Sequence, residues 1–206
     1  MRTTVRNGIT AILCLLVSGM AAFAGKTSEN LLVAYKGELT ASARHAAFAD
    51  QALKEGYDRI ALLFKVISRS EAIHAANHKT VLEKMGVTVH PFTPEYKVSS
   101  TKDNLDALIS GKLDGFRSSY PSFLVVARQE TETSAAKSMR WAMETSAKFG
   151  EYYRNALTAL SNRTVGSLPG LYWICPKCGN TYNIPVPESI CSYCGTASSR
   201  FIRITR

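Results

Sequence analysis

Two Cys-x-x-Cys pairs constrain the fold of this chain more than any other stretch: Cys175-Pro-Lys-Cys178-Gly179 and Cys191-Ser-Tyr-Cys194-Gly195, twelve residues apart. Each pair with its following glycine makes a tight knuckle whose backbone amides can face thiolate sulfur. Four thiolates in a tetrahedron suit iron and zinc almost equally. A structural zinc ribbon uses the same spacing. In an oxidising compartment the thiols can instead close as disulfides, although a bridge inside one knuckle is strained relative to a metal site. Residues 162–172, with Asn162, Gly166, Pro169 and Gly170, read as a linker, which sets residues 173–206 apart as a small unit.

A second pattern lies upstream, in Glu71-Ala-Ile-His74 and in Glu38, thirty-three residues before it. A carboxylate and an imidazole three apart share one side of a helix, the arrangement by which helical bundles hold metal in their cores. Residues 30–161 are alanine-rich, with apolar side chains at three- and four-residue steps. The first helix closes at Gly56, and a second is predicted over residues 57–85, stopped by Gly86. Residues 87–100, with Pro91 and Pro94, form a long crossing connection. Thr101 then caps a third helix over 102–129, and a fourth covers 133–160 with Met139, Ala142, Met143, Phe149, Tyr153 and Leu157 inward. Trp141 reads as core. Four long helices with one long crossover describe an all-α ferritin-like four-helix bundle, here followed by a small β-rich metal-binding unit.

The 206 residues suffice for one self-sufficient core plus that accessory unit. Residues 1–24 read as a secretory signal: Arg2 and Arg6, an apolar run from Ile9 to Met20, and Ala22-Phe23-Ala24 ahead of Gly25. The apolar run is shorter than the roughly 20 residues of a membrane span, so no stable span is expected after cleavage. The protein is expected to be exported, to the periplasm or beyond. Cleavage removes Cys14, leaves four of five cysteines, and lowers the net charge from +9 to +7 as two arginines leave. The remaining basic bias is spread along the chain without a run of Lys and Arg, which argues against nucleic acid.

The run Gly37-Glu38, Lys54-Glu55-Gly56-Tyr57, Ile60-Ala61, Phe64, Glu71-x-x-His74-Ala75, Asn104-Leu105, Ile109-x-Gly111 and Tyr120-Pro121-x-Phe123, with the cysteine tail, resembles rubrerythrin. That resemblance implies a ferritin-like two-iron bundle over residues 25–161, a rubredoxin-like four-cysteine domain over 173–206, peroxide reduction and dimerisation. The family's ligands are matched at Glu38, Glu71 and His74. Counting from Tyr120-Pro121 without a gap places its remaining positions at Lys112 and Gly115 on the third helix and at Ser146 and Phe149 on the fourth.

Four of seven ligands are therefore missing, and two buried carboxylates without a cation are costly. Lys112 is expected to supply the cation, with Phe149 filling the volume. Asp114 and Glu144 sit two residues from ligand positions, a rotation of about 200° that aims them away from Glu38 and Glu71. His45 is expected to pack or hydrogen-bond inside the bundle, and His78 to lie at the surface.

The leading expectation is an exported iron protein passing one electron through Cys175, Cys178, Cys191 and Cys194, with the two-iron site largely lost and no catalytic residue assigned. The aromatics Trp173 and Tyr182, with the attached bundle, tilt the metal towards iron. The alternatives are peroxide reduction at a residual site on Glu38, Glu71 and His74, or a zinc-stapled protein without redox chemistry. Lys177, Arg200, Arg203 and Arg206 imply a redox partner with an acidic face.

Overall fold

The computed structural model describes residues 25–205, so the leader at residues 1–24, Cys14 within it, and Arg206 lie outside the described residues. Helix α1 spans Lys26–Lys54 and α2 spans Asp58–Lys84, joined by a short turn in which Gly56 adopts φ +82°. A residue with a Cβ resists that left-handed backbone, and glycine does not. The start of α1 is capped from a distance. The Glu130 carboxylate accepts the backbone N–H groups of Lys26 at 3.1 Å and Thr27 at 2.9 Å, two of the donors a helix start leaves unpaired. Residues 87–100 cross the bundle without regular structure, as the prolines predicted.

The third helix is not continuous. It divides into α3 (Thr101–Ile109), a 3-10 turn (Gly115–Ser119) and α4 (Tyr120–Gln129). Gly111 at φ +72° ends α3, and Pro121 sits in the first turn of α4, where its missing N–H costs no hydrogen bond. The predicted cap also shifts by one residue: the Ser100 hydroxyl accepts the Asp103 N–H at 3.2 Å, and Thr101 is the first helical residue. Helix α5 then runs unbroken over Thr133–Ser161. No helix among the described residues is long and apolar enough to cross a membrane.

Two of the apolar clusters among the described residues build the interior of the bundle, and a third lies around the cysteines. Phe48, Ile60, Phe64, Ile67, Leu105 and Phe149 anchor the first core, and Leu31, Leu82, Tyr120, Leu124 and Met139 anchor the second. Each large apolar side chain fully buried contributes about 1.5–3 kcal/mol. Between these cores, at the middle of each long helix, lies a layer of buried polar residues from Glu38 to His45 on α1 and from Ser70 to His78 on α2.

The remainder is a three-stranded antiparallel sheet in the order β2-β1-β3, from β1 (Leu171–Ile174), β2 (Thr181–Tyr182) and β3 (Ile202–Thr205). Trp173 pairs with Tyr182 on one side and Arg203 on the other, and this register delivers Cys175 at the end of β1. The whole is a mostly helical ferritin-like bundle with a small β module, as expected.

Candidate metal centre

The two knuckles repeat one backbone pattern. Gly179 N–H donates to the Cys175 carbonyl at 3.0 Å and Cys175 N–H to the Asn180 carbonyl at 2.9 Å; Gly195 donates to Cys191 at 2.9 Å and Cys191 to Thr196 at 2.8 Å. Both turns need a positive φ, +80° at Gly179 and +70° at Gly195. Together they bring the four Sγ atoms within 4.8 Å of one another, with Cys175 and Cys194 3.4 Å apart and Cys178 and Cys191 3.5 Å apart. A tetrahedral ion with bonds of about 2.3 Å has sulfur edges of roughly 3.8 Å, so these side chains fit one iron or zinc ion. Cys175 and Cys178 are fully buried, Cys191 nearly so, and Cys194 is partly exposed.

The sulfurs sit among donors. The Tyr182 hydroxyl lies 3.3 Å from Cys191 Sγ, and the Thr196 hydroxyl lies 3.1 Å from Cys194 Sγ. A hydrogen bond from Cys178, helped by the backbone amides of Cys178 and Lys177, pulls the Cys175 thiol down to about 4, whereas its partner Cys178 is pushed up. One sulfur thus carries negative charge readily, and a bound cation would stabilise the thiolate form of the others, since metal binding releases their protons.

The first knuckle is seated on the bundle. Ser70 Oγ donates to the Gly179 carbonyl at 2.6 Å, and Asn77 Nδ2 donates to the Lys177 carbonyl at 2.8 Å. Gly179 is tight against His74: a Cβ there would stand 2.5 Å from His74 Nε2 and 3.0 Å from the Ser70 carbonyl oxygen. From the second knuckle, the Tyr193 hydroxyl donates to the Glu144 carbonyl at 3.3 Å. His74 therefore lies between the knuckle and the polar layer, with its Nε2 buried and lacking a hydrogen bond.

Within that layer Glu38 and Glu71 are wholly buried, and one guanidinium serves both. Arg117 Nη2 contacts Glu71 Oε1 and lies 3.9 Å from Glu38 Oε2, while Arg117 Nη1 donates to Asp114 Oδ2 at 2.8 Å. Arg44 contacts the other Asp114 oxygen and donates to the Leu113 carbonyl at 3.1 Å. Burial opposes the charge on Arg117, but Asp114, Glu71 and Glu38 outweigh it and hold the group well above its ordinary value. Burial likewise pushes the Glu38 carboxyl up, yet His74 and Arg117 prevail and it is held at about 2.

Two histidine–tyrosine arms flank the acids. The Tyr120 hydroxyl donates to Glu38 Oε1 at 2.8 Å, and so accepts from His78 Nε2 at 3.0 Å. His78 Nδ1 then accepts from the Ser138 hydroxyl at 2.7 Å. Burial pushes this imidazole down to about 4, so it is neutral near pH 7. On the other arm, His45 Nδ1 lies 2.8 Å from both the Ala41 carbonyl oxygen and Glu71 Oε2. With acceptors on both sides Nδ1 carries the proton; the carbonyl takes it, leaving Glu71 Oε2 in contact without a hydrogen bond. Tyr153 O–H donates to His45 Nε2 at 2.8 Å.

The four cysteines assemble, and Glu38 and His74 meet at 3.4 Å. Lys112 does not enter the layer. It is exposed in the break between α3 and α4, and the cation arrives from Arg117, five residues later, because the 3-10 turn re-aims the chain. Asp114 touches Glu71 only through Arg117, and Glu144 faces Arg140 at 4.0 Å outside the layer. Phe149 is buried, with Arg117 5.8 Å from its ring centroid; Ser146 Oγ is buried without a partner. His45 is interior as expected, whereas His78, expected at the surface, is fully enclosed by Ser138 and Tyr120. Arg44 and Arg117 were not singled out from sequence, and Tyr153 was read there only as an inward-facing residue of the fourth helix, which it is. Tyr120 served there only as a register mark, although its three-residue offset from Arg117 was a usable signal.

The rubrerythrin family model matches residues 29–157. Rubrerythrin-2 of Clostridium acetobutylicum is 31% identical over 179 residues, covering 85% of this chain and 95% of that protein. Rubrerythrin of Porphyromonas gingivalis is 29% identical over 180 residues, covering 85% and 88%. Among solved structures, fully reduced, all-ferrous nigerythrin superposes with a TM-score of 0.75 at 24% identity, covering 98% of this chain and all of that one, which bears on the fold. The family model spans well over half of the chain, and the relatives align from the bundle into the cysteine module: the chain belongs to the rubrerythrin family.

Proposed function

We propose that this is an exported member of the family that carries single electrons on iron held by Cys175, Cys178, Cys191 and Cys194, while its bundle serves as scaffold and no longer holds two irons. The observation that carries the reading is Arg117, whose guanidinium occupies the space between Glu38 and Glu71 where a metal cation would neutralise them. The donor set does not fit a pair of irons: one glutamate comes from α1 and one Glu-x-x-His from α2, but α5 offers Ser146 and Phe149. Bound iron would supply a one-electron ferric/ferrous couple with a closed shell and no open position for substrate. The protein's own part is to hold the four sulfurs, exclude water from three of them, and direct the Tyr182 and Thr196 hydroxyls at two.

Around the module, Lys177, Arg200 and Arg203 favour an acidic redox partner, and a homodimer is the assembly proposed. Elemental analysis with a visible spectrum of mature protein from its own host tests the reading. One iron per chain with a ferric-thiolate band supports it, and a colourless protein with one zinc overturns it. Three irons per chain would favour the second reading, peroxide reduction at Glu38, Glu71 and His74, which those three residues support by still being gathered together.

A further inference from the structure

Lys148 belongs to α5 of the bundle, yet its ammonium lies inside the cysteine module. Nζ donates to Asn180 Oδ1 at 2.6 Å and faces the Thr181 carbonyl oxygen at 3.4 Å. It lies 5.1 Å from the Tyr182 ring centroid and 4.8 Å from that of Tyr193. Two oxygen acceptors and two ring faces are the surroundings of an ammonium rather than of a neutral amine. From there the contacts continue to sulfur. Asn180, fully buried, directs Nδ2 to the Tyr182 hydroxyl at 2.9 Å and towards Cys191 Sγ at 3.9 Å, and the Tyr182 O–H reaches the same sulfur at 3.3 Å.

We propose that Lys148 is a positioning residue through which the bundle sets the charge balance, and with it the redox poise, of the four-cysteine centre, by polarising the Asn180 and Tyr182 hydrogen bonds onto Cys191. The redox part rests on the electron-transfer reading above. The physical reason is a charge count. Four thiolates with ferric iron carry a net charge of −1, and with ferrous iron −2, so gaining one electron from a donor adds one negative charge to the site. A fixed cation nearby stabilises the reduced form more than the oxidised one, and hydrogen bonds to sulfur act in the same direction. The same cation stabilises a doubly negative zinc–tetrathiolate relative to the empty site.

The test uses the full chain and compares Lys148→Met, Lys148→Gln, which keeps a donor for Asn180 without the charge, and Lys148→Arg, which keeps the charge. In reductive titrations of iron-loaded protein, Met and Gln are expected to lower the ferrous-to-ferric ratio about tenfold at a fixed poise, equivalent to about 59 mV for one electron. Lys148→Arg is expected to recover most of the difference. Equal potentials for parent, Met and Gln overturn the proposal. A parallel chelator competition on the zinc-loaded chain reads the charge effect without redox chemistry. Here Met and Gln are expected to retain zinc about tenfold less tightly, and equal retention overturns the proposal. If neither parent nor variants develop a ferric-thiolate band, the electron-transfer reading fails by itself, and weaker zinc retention in Met and Gln still upholds the role of Lys148.

Discussion

Arg117 is the residue on which the interior of the bundle turns. Its guanidinium is mostly enclosed, 12% exposed at the side chain, and meets Glu71, Asp114 and, at 3.9 Å, Glu38. Replacing it with a neutral side chain strands buried carboxylates, a change worth about 3–5 kcal/mol where a buried pair loses one partner. Arg117→Met is therefore expected to lose that much in denaturant unfolding at pH 7, and Arg117→Met with Glu71→Gln to regain a large part. A single variant as stable as the parent would show that the guanidinium carries no structural charge balance. Glu38, Glu71, His74 and the four cysteines were legible in the sequence because helical spacing and Cys-x-x-Cys spacing are local properties. Arg117 was not, since counting ligands from Tyr120 assumed a helix continuous through 110–119, and the departure at Gly111 rotates everything between.

Among elements, the two knuckles form an internal comparison. Both glycines need a positive φ, but Gly195 has open space around its Cα while Gly179 abuts His74 and the Ser70 carbonyl. Gly195→Ala should cost only the backbone term, about 1 kcal/mol. Gly179→Ala should cost that plus an overpacking term of about 1–3 kcal/mol, because its new methyl meets an imidazole ring and a carbonyl. Thermal unfolding of the metal-loaded chain reads both, and His74→Ala is expected to relieve part of the Gly179→Ala loss. Equal losses for the two glycines would mean that the first knuckle does not rest on α2. This contact joins residues 105 positions apart and involves glycine, which leaves no pattern, so nothing in the sequence pointed to it. The helices themselves were readable from apolar spacing, apart from the break at Ser110–Asp114 that Gly111 and Pro121 could have signalled.

For the molecule as a whole, the polar layer ties stability to pH. Burial lowers the His78 imidazole from its ordinary 6.5 to about 4, so between these values the unfolded chain binds a proton that the folded chain refuses. Stability is full above about 6.5 and falls as the pH drops towards 4, by an amount on the order of 3 kcal/mol over the window. Glu38, held at about 2 against an ordinary 4.5, adds a second loss that begins near 4.5 and runs down through about 2. Unfolding free energy measured across pH 7 to 4 should show the first slope, and His78→Gln should flatten it. A parent curve that is level between 6.5 and 4.5 would contradict the burial of His78. Two apolar cores with this layer between them complete a bundle whose countercharge is part of the polypeptide. If the bundle holds no irons, as proposed, such a scaffold closes before any ion reaches it, and maturation would separate into two events, bundle first and thiolate loading second. Scarcity of metal would then leave a folded body with an unfilled sulfur pocket rather than a chain unable to fold.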